Sequence, residues 1–126
     1  MEIDAIDHVV LTVRDIPASV AFYTHVLGMR EVIFGNERRA LAFGRRKLNL
    51  HQTGAEFEPK AARPAPGSAD LCLLARTPVA QIVCQLATHG VAIEAGPIER
   101  TGAQGPILSV YVRDPDGNLI ELSNPL

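Results

Sequence analysis

Apolar residues along this chain switch between two spacings, and the switch occurs twice in the same order. Residues 6–13, read Ile-Asp-His-Val-Val-Leu-Thr-Val, are rich in β-branched and apolar side chains, the pattern of a buried strand. Asp15 and Pro17 then open a helix, with proline in the first turn, where its missing N–H is not needed. Val20, Tyr23 and Leu27 recur at i, i+3 and i+7 on one helical face, and Gly28 is the expected stop. Three short strands follow at about 30–34, 39–43 and 47–52, divided by turns at Gly35-Asn36 and Gly44-Arg45. The first half therefore reads β-α-β-β-β.

A second copy begins at residue 69. Residues 69–75 read as a strand, Thr77 as a helix N-cap and Pro78 as a first-turn residue. Val79, Ile82, Val83 and Leu86 form the helical stripe, and Gly90 ends it. Strands are expected at about 91–98, 107–113 and 118–123. Gly28 and Gly90 lie 62 apart, Pro17 and Pro78 lie 61 apart, and His8 and Asp70 lie 62 apart. One element order found twice at one offset marks an internal duplication. The expected fold is α+β, a single domain over 1–126 made of two tandem βαβββ modules, about 5–52 and 69–124. The connection at 53–68 carries Pro, Gly and four charged residues. At that length it reads as a lid over a site or as a solvated linker.

The duplication bears on one unusual residue. Glu121 is a carboxylate within the apolar strand Asn118-Leu119-Ile120-Glu121-Leu122, after the turn Asp114-Pro115-Asp116-Gly117. Strand alternation puts it on the face of Leu119, where a buried carboxylate must be neutralised, paired or bound to a metal. His8 and Asp70 hold equivalent places on the first strands of the two copies, and His51 reads as the counterpart of Glu121 on the last strands. A pseudo-two-fold between copies would gather all four around one cavity. Two imidazoles and two carboxylates suit a borderline or hard divalent ion and leave coordination positions open. Each residue alone has a plainer reading. His8 fits a hydrogen-bonded core histidine, His51 a half-exposed strand end, Asp70 a turn residue bonding backbone N–H groups, and Glu121 an ion-pair partner of Arg113. By parity Asn49 shares the face of His51, and Ser109, Tyr111 and Arg113 share one face. Those four either orient an anionic or hydroxylated substrate or line the outer surface. Cys72 has the parity of Asp70, and either borders the cavity or packs as a core thiol. His25 and His89 fall on or beside helices and read as surface residues.

Composition narrows the classes of function. The chain has 126 residues, 47% hydrophobic and 21% charged, enough for a core without disulfides. Its two cysteines lie 12 apart with no Cys-x-x-Cys, so they read as reduced thiols rather than a zinc knuckle. A net charge of -2, absent Trp and no basic stripe argue against nucleic-acid binding. No apolar run approaches membrane-spanning length and no secretory h-region follows Met1, so no membrane association and a cytoplasmic location are expected.

The opening IDHVVLTVRDIPASVAFYTHVLGM and the closing SVYVRDPDGNLIELSNP resemble the vicinal oxygen chelate superfamily, which includes glyoxalase I, extradiol dioxygenases, and fosfomycin- and bleomycin-resistance proteins. The resemblance covers essentially the whole chain. Within the group, KLNLHQTGAEFEPKAARPAPGSADLCLL is most similar to the subgroup called glyoxalase domain-containing protein 5. The resemblance implies curled mixed sheets around a cup-shaped site, with metal ligands on the first and last strands of each module, here His8, His51, Asp70 and Glu121. This chain departs from its relatives: glyoxalase I usually has Glu and His where His51 and Asp70 stand, and dioxygenases and fosfomycin enzymes usually have a histidine in place of Asp70. The implied cofactor is a divalent ion (Zn, Ni, Co, Mn or Fe), the implied partner a small-molecule substrate, and the implied assembly a homodimer. The expected activity is that of a lyase or isomerase of glyoxalase type. In it the metal chelates two neighbouring substrate oxygens and stabilises an enediolate, while Glu121 or Asp70 shuttles a proton. Extradiol cleavage by Fe(II) and metal-free binding of a small molecule, as in bleomycin-resistance proteins, are the alternatives.

Overall fold

The computed structural model describes residues 1–126 and divides into two compact units, 1–66 and 67–126. The first holds β1 (His8–Val13), α1 (Ile16–Ala21), β2 (Arg30–Phe34), β3 (Arg38–Phe43) and β4 (Arg46–Gln52). The second holds β5 (Asp70–Leu74), α2 (Val79–Thr88), β6 (Ala95–Thr101), β7 (Pro106–Arg113) and β8 (Leu119–Pro125). Each unit is one four-stranded mixed sheet, in the orders β1-β4-β3-β2 and β5-β8-β7-β6. The first strand runs parallel to the last and every other pair is antiparallel. The α+β class and the tandem βαβββ order are therefore present.

Each sheet has one face under its helix and one face open. In the first unit Leu11, Val13, Leu41, Leu48 and Leu50 are buried on one face, and Tyr23 is fully buried with them. Gln52, on the same face, holds the helix entrance: its Oε1 accepts from the Ile16 N–H at 3.2 Å. In the second unit Val110, Val112, Ile120 and Leu122 form the equivalent face, and Val79, Ile82 and Leu86 are the buried residues of α2. Burying such a set of aliphatic side chains, at about 1.5–3 kcal/mol each, is the main force holding each helix to its sheet.

Three boundaries differ from the sequence reading. Helix α1 is short and passes into a wider π-helical turn over Phe22–Val26 before Gly28, whose φ of 71° ends it. Helix α2 is not capped by Thr77. Pro78 occupies the N-cap position, and the Val79 N–H is satisfied from β8, by Asn124 Oδ1 at 2.7 Å. The strand expected at 91–98 instead runs Ala95–Thr101, because Val91 donates its N–H to Leu86 O at the end of α2. No helix is long and apolar enough to cross a membrane.

Candidate functional site

Strand register decides which polar residues of the open faces can act together. In the second unit Asp70 lies level with Leu119, and Cys72 with Glu121. Asp70 and Glu121 thus stand on the same face of adjacent strands, two residues apart, which is about 7 Å along the strand. In the first unit His8 lies level with Lys47, and Val10 with Asn49. The register counterpart of Glu121 is therefore Asn49, and the counterpart of His51 is Ser123. This corrects the pairing of His51 with Glu121 read from the sequence. His51 lies level with Thr12, four residues beyond His8. That is about 13 Å along the strands, too far for both imidazoles to approach one ion at about 2 Å. No three or more His, Cys, Asp or Glu side chains are gathered into a metal-holding group.

Each unit instead presents one oriented pair of donors. His8 has a side chain 44% exposed, and its Nδ1 lies 2.8 Å from Asp7 Oδ1. The hydrogen bond from His8 holds the Asp7 carboxyl below the usual carboxylate range, so Asp7 is the acceptor and Nδ1 carries the proton. His8 Nε2 is left without a hydrogen-bond partner, and a carboxylate behind the other ring nitrogen is the arrangement in which histidine binds metals. Asn49 is only 4% exposed, and its Oδ1 is a buried oxygen with no hydrogen-bond partner. Such an orphaned acceptor on the open face fits a cation or a donor brought by a ligand.

Glu121 is oriented by a chain of hydroxyls. Ser109 Oγ donates to Glu121 Oε1 at 2.6 Å and lies 2.7 Å from Ser123 Oγ, which is 3.4 Å from Cys72 Sγ. A carboxylate only accepts, so the single Ser109 proton goes to Glu121. Ser123 must then donate to Ser109, and the Cys72 thiol to Ser123. Desolvation, with the negative charges of Glu121 and Asp70, pushes the Cys72 thiol up and keeps it protonated for this role. Cys72 is thus a wall residue of the open face and not a core thiol.

The remaining expected residues divide. Ser109, Tyr111 and Arg113 do share a face, and register puts it on the side of Glu121 and not on the helix side. Arg113 does not pair with Glu121. Its guanidinium binds Glu94 through two bonds of 3.0 and 2.9 Å, which raises its pKa further. Tyr111 OH accepts from Arg100 Nε at 3.1 Å. A cavity of about 720 Å³ opens on this face, walled by Cys72, Arg100, Ile107, Tyr111, Glu121 and Leu126.

His51 is only 3% exposed, in different surroundings. Its Nε2 is 3.4 Å from Arg38 Nη2, and its ring meets Phe57 edge-on at 5.5 Å between centroids. Burial, then the Arg38 charge, lowers its pKa, so the ring is neutral and can accept from Arg38. Phe57 comes from the connection after β4, which is folded against the sheet and braced by Lys60, 3.2 Å from Glu56. Asp7, Arg38, Lys47, Phe57 and Arg100 were missed in the sequence. Asp7 was visible as the neighbour of His8; the others become neighbours only through register or loop path.

Comparison with known proteins agrees with this architecture. Residues 5–122 match the Glyoxalase/Bleomycin resistance protein/Dioxygenase superfamily. A virulence protein of Salmonella typhimurium is 57% identical over 123 residues, 98% of this chain and 85% of that protein. Its crystal structure superposes with a TM-score of 0.99 at 56% identity over the full length of both chains. A glyoxalase domain-containing protein of Mycosarcoma maydis is 52% identical over 98% of this chain and 70% of its own length. The lactoylglutathione lyase of Agrobacterium tumefaciens is 25% identical, with a TM-score of 0.76 over 98% of this chain and 96% of that one. The duplicated βαβββ units with polar residues on their open faces are those of the glyoxalase/bleomycin resistance/dioxygenase superfamily, to which this chain belongs.

Proposed function

We propose that this protein is a divalent-metal-dependent enzyme of glyoxalase type, a lyase or isomerase acting as a homodimer on a small substrate that offers two neighbouring oxygens. The observation that carries the reading is the recurrence of one donor pair at the same two register positions of both sheets: His8 with Asn49, and Asp70 with Glu121. The proposed metal ligands are His8 on the first unit, with the orphaned Asn49 oxygen in place of His51, and Asp70 with Glu121 on the second. Imidazole nitrogen with carboxylate and amide oxygens suits Mn, Fe, Co, Ni or Zn. A bound divalent ion would polarise the two substrate oxygens as a Lewis acid.

The chain's own groups supply orientation and proton transfer. Asp7 fixes the His8 tautomer, and Ser109 aims the Glu121 carboxylate through one oxygen and leaves the other free. Glu121 is the proposed proton shuttle, with Asp70, exposed on the neighbouring strand, as the second carboxylate. The likeness to a lactoylglutathione lyase supports an isomerising proton transfer over ring cleavage. Metal uptake by stripped and reloaded protein, followed by elemental analysis, tests the reading. About one equivalent per chain is expected in the wild type, with loss in His8→Ala and Glu121→Gln. Wild-type protein that takes up none of the five metals refutes it.

A further inference from the structure

On the open face of the first unit, Arg38 and Lys47 approach one aromatic ring without a carboxylate in ion-pair distance of either. Phe34 of β2, Arg38 of β3 and His51 of β4 follow one another across that face, since Phe34 lies level with Arg38, and Arg39 with Leu50. The Arg38 guanidinium carbon sits 5.1 Å from the Phe34 ring centroid and 4.6 Å from that of Phe57. Lys47 Nζ, two residues from Asn49 on β4, lies 3.7 Å from the same Phe34 centroid. Three acids of this unit are bonded to other groups: Asp7 with His8, Glu31 with Arg39 at 2.9 Å, and Glu56 with Lys60. Neither Arg38 nor Lys47 has a carboxylate within ion-pair distance.

Two like charges drawn to one aromatic ring repel each other, and rings satisfy a cation only in part. The arrangement gains most from a shared counter-anion. Ala40 and Ala42, level with Asn49 and Lys47, raise only methyl groups from the sheet beneath the two cations. Phe34 and Phe57 flank the cations with apolar rings, and Phe57 is 38% exposed on the connection after β4. The planar fork of Arg38 matches the two oxygens of a carboxylate or phosphate, while Lys47 adds a point charge.

We infer that this face holds the charged end of the substrate, a small organic anion bearing a carboxylate or phosphate beside an apolar group. Arg38 and Lys47 take the charge and Phe34 and Phe57 take the apolar part. His51 holds Arg38 in place as a neutral acceptor; it is a positioning residue and not a metal ligand. The inference rests on the proposed small-molecule enzyme and names the class of its substrate.

Benzoate, phenyl phosphate and neutral benzyl alcohol, titrated into metal-stripped protein by ligand-observed NMR, provide the test. Both anions should bind at least about tenfold more tightly than benzyl alcohol. Arg38→Gln and Lys47→Gln should each weaken them about fivefold or more, while Arg76→Gln, at an exposed arginine between β5 and α2 of the second unit, should leave them unchanged. Arg38→Lys should restore part of the affinity lost in Arg38→Gln. Equal binding of benzyl alcohol by the wild type overturns the inference without any variant. So does wild-type affinity in both Arg38→Gln and Lys47→Gln. Metal uptake measured on the same samples separates the two readings: anion binding that persists in protein unable to load metal defeats the enzyme proposal alone.

Discussion

Ser109→Ala is the sharpest probe of the second unit. Ser109 is fully buried and makes two hydrogen bonds, 2.6 Å to Glu121 and 2.7 Å to Ser123. A bond to a charged acceptor contributes about 1.5–3 kcal/mol and a neutral one about 0.5–1.5 kcal/mol. Glu121 is only half-buried, so water can replace part of the first bond, and the lower ends apply. The expected loss is about 2 kcal/mol. A chain of this length gains about 0.26 kcal/mol per kelvin of entropy on unfolding, so the melting temperature should fall by about 8 °C. A second effect separates orientation from packing. An outer-shell partner that aims a metal ligand is worth about 10–100-fold in metal affinity. Competition against a chromophoric chelator should therefore show Ser109→Ala binding at least about tenfold more weakly. Glu121→Gln keeps an oxygen for Ser109 to donate to, so a double-mutant cycle between positions 109 and 121 should give a coupling of about 1 kcal/mol. If Ser109→Ala melts within about 1 °C of wild type and competes equally for metal, the hydroxyl chain has no role in positioning Glu121.

Asp7→Asn should reduce metal affinity about tenfold through His8 while leaving the melting temperature nearly unchanged, because the Asp7 side chain is 86% exposed; the same chelator competition reads it. His51 gives the metal-free protein a pH dependence. Its folded pKa lies below 6.5, so the unfolded chain binds more protons as pH falls through that value. Stability is then complete above about pH 6.5 and declines below it. Urea unfolding across this window should show the decline in wild type and a flatter profile in His51→Gln; equal slopes would exclude His51 as the cause. Gly96→Ala should cost about 3 kcal/mol or more, read from the urea midpoint, because φ is 97° and the added methyl would collide with the Ser109 carbonyl oxygen. A melt close to wild type would mean that β6 and β7 can separate at this bulge.

Much of this protein follows from sequence alone because the relevant physics is local. Alternation along a strand depends on the pleat, so the shared face of Ser109, Tyr111 and Arg113 and that of Asn49 and His51 could be read from residue numbers. The helical stripes, the glycine stops and the duplicated element order are likewise properties of short windows. They were enough to define the α+β tandem architecture and to nominate His8, Asp70 and Glu121 for the site proposed above. Tertiary structure decided what is level with what. Hydrogen-bond register is set between strands far apart in the chain, and equal sequence offset is no guide when the two connections differ in length: first strands of the modules are 62 residues apart, but Asn49 and Glu121 are 72 apart. For this reason Asn49, and not His51, stands where Glu121 does. The same non-local pairing sends Arg113 to Glu94 and gives the cap of α2 to Asn124 from β8. It also brings Phe57 from a loop onto Arg38 and His51.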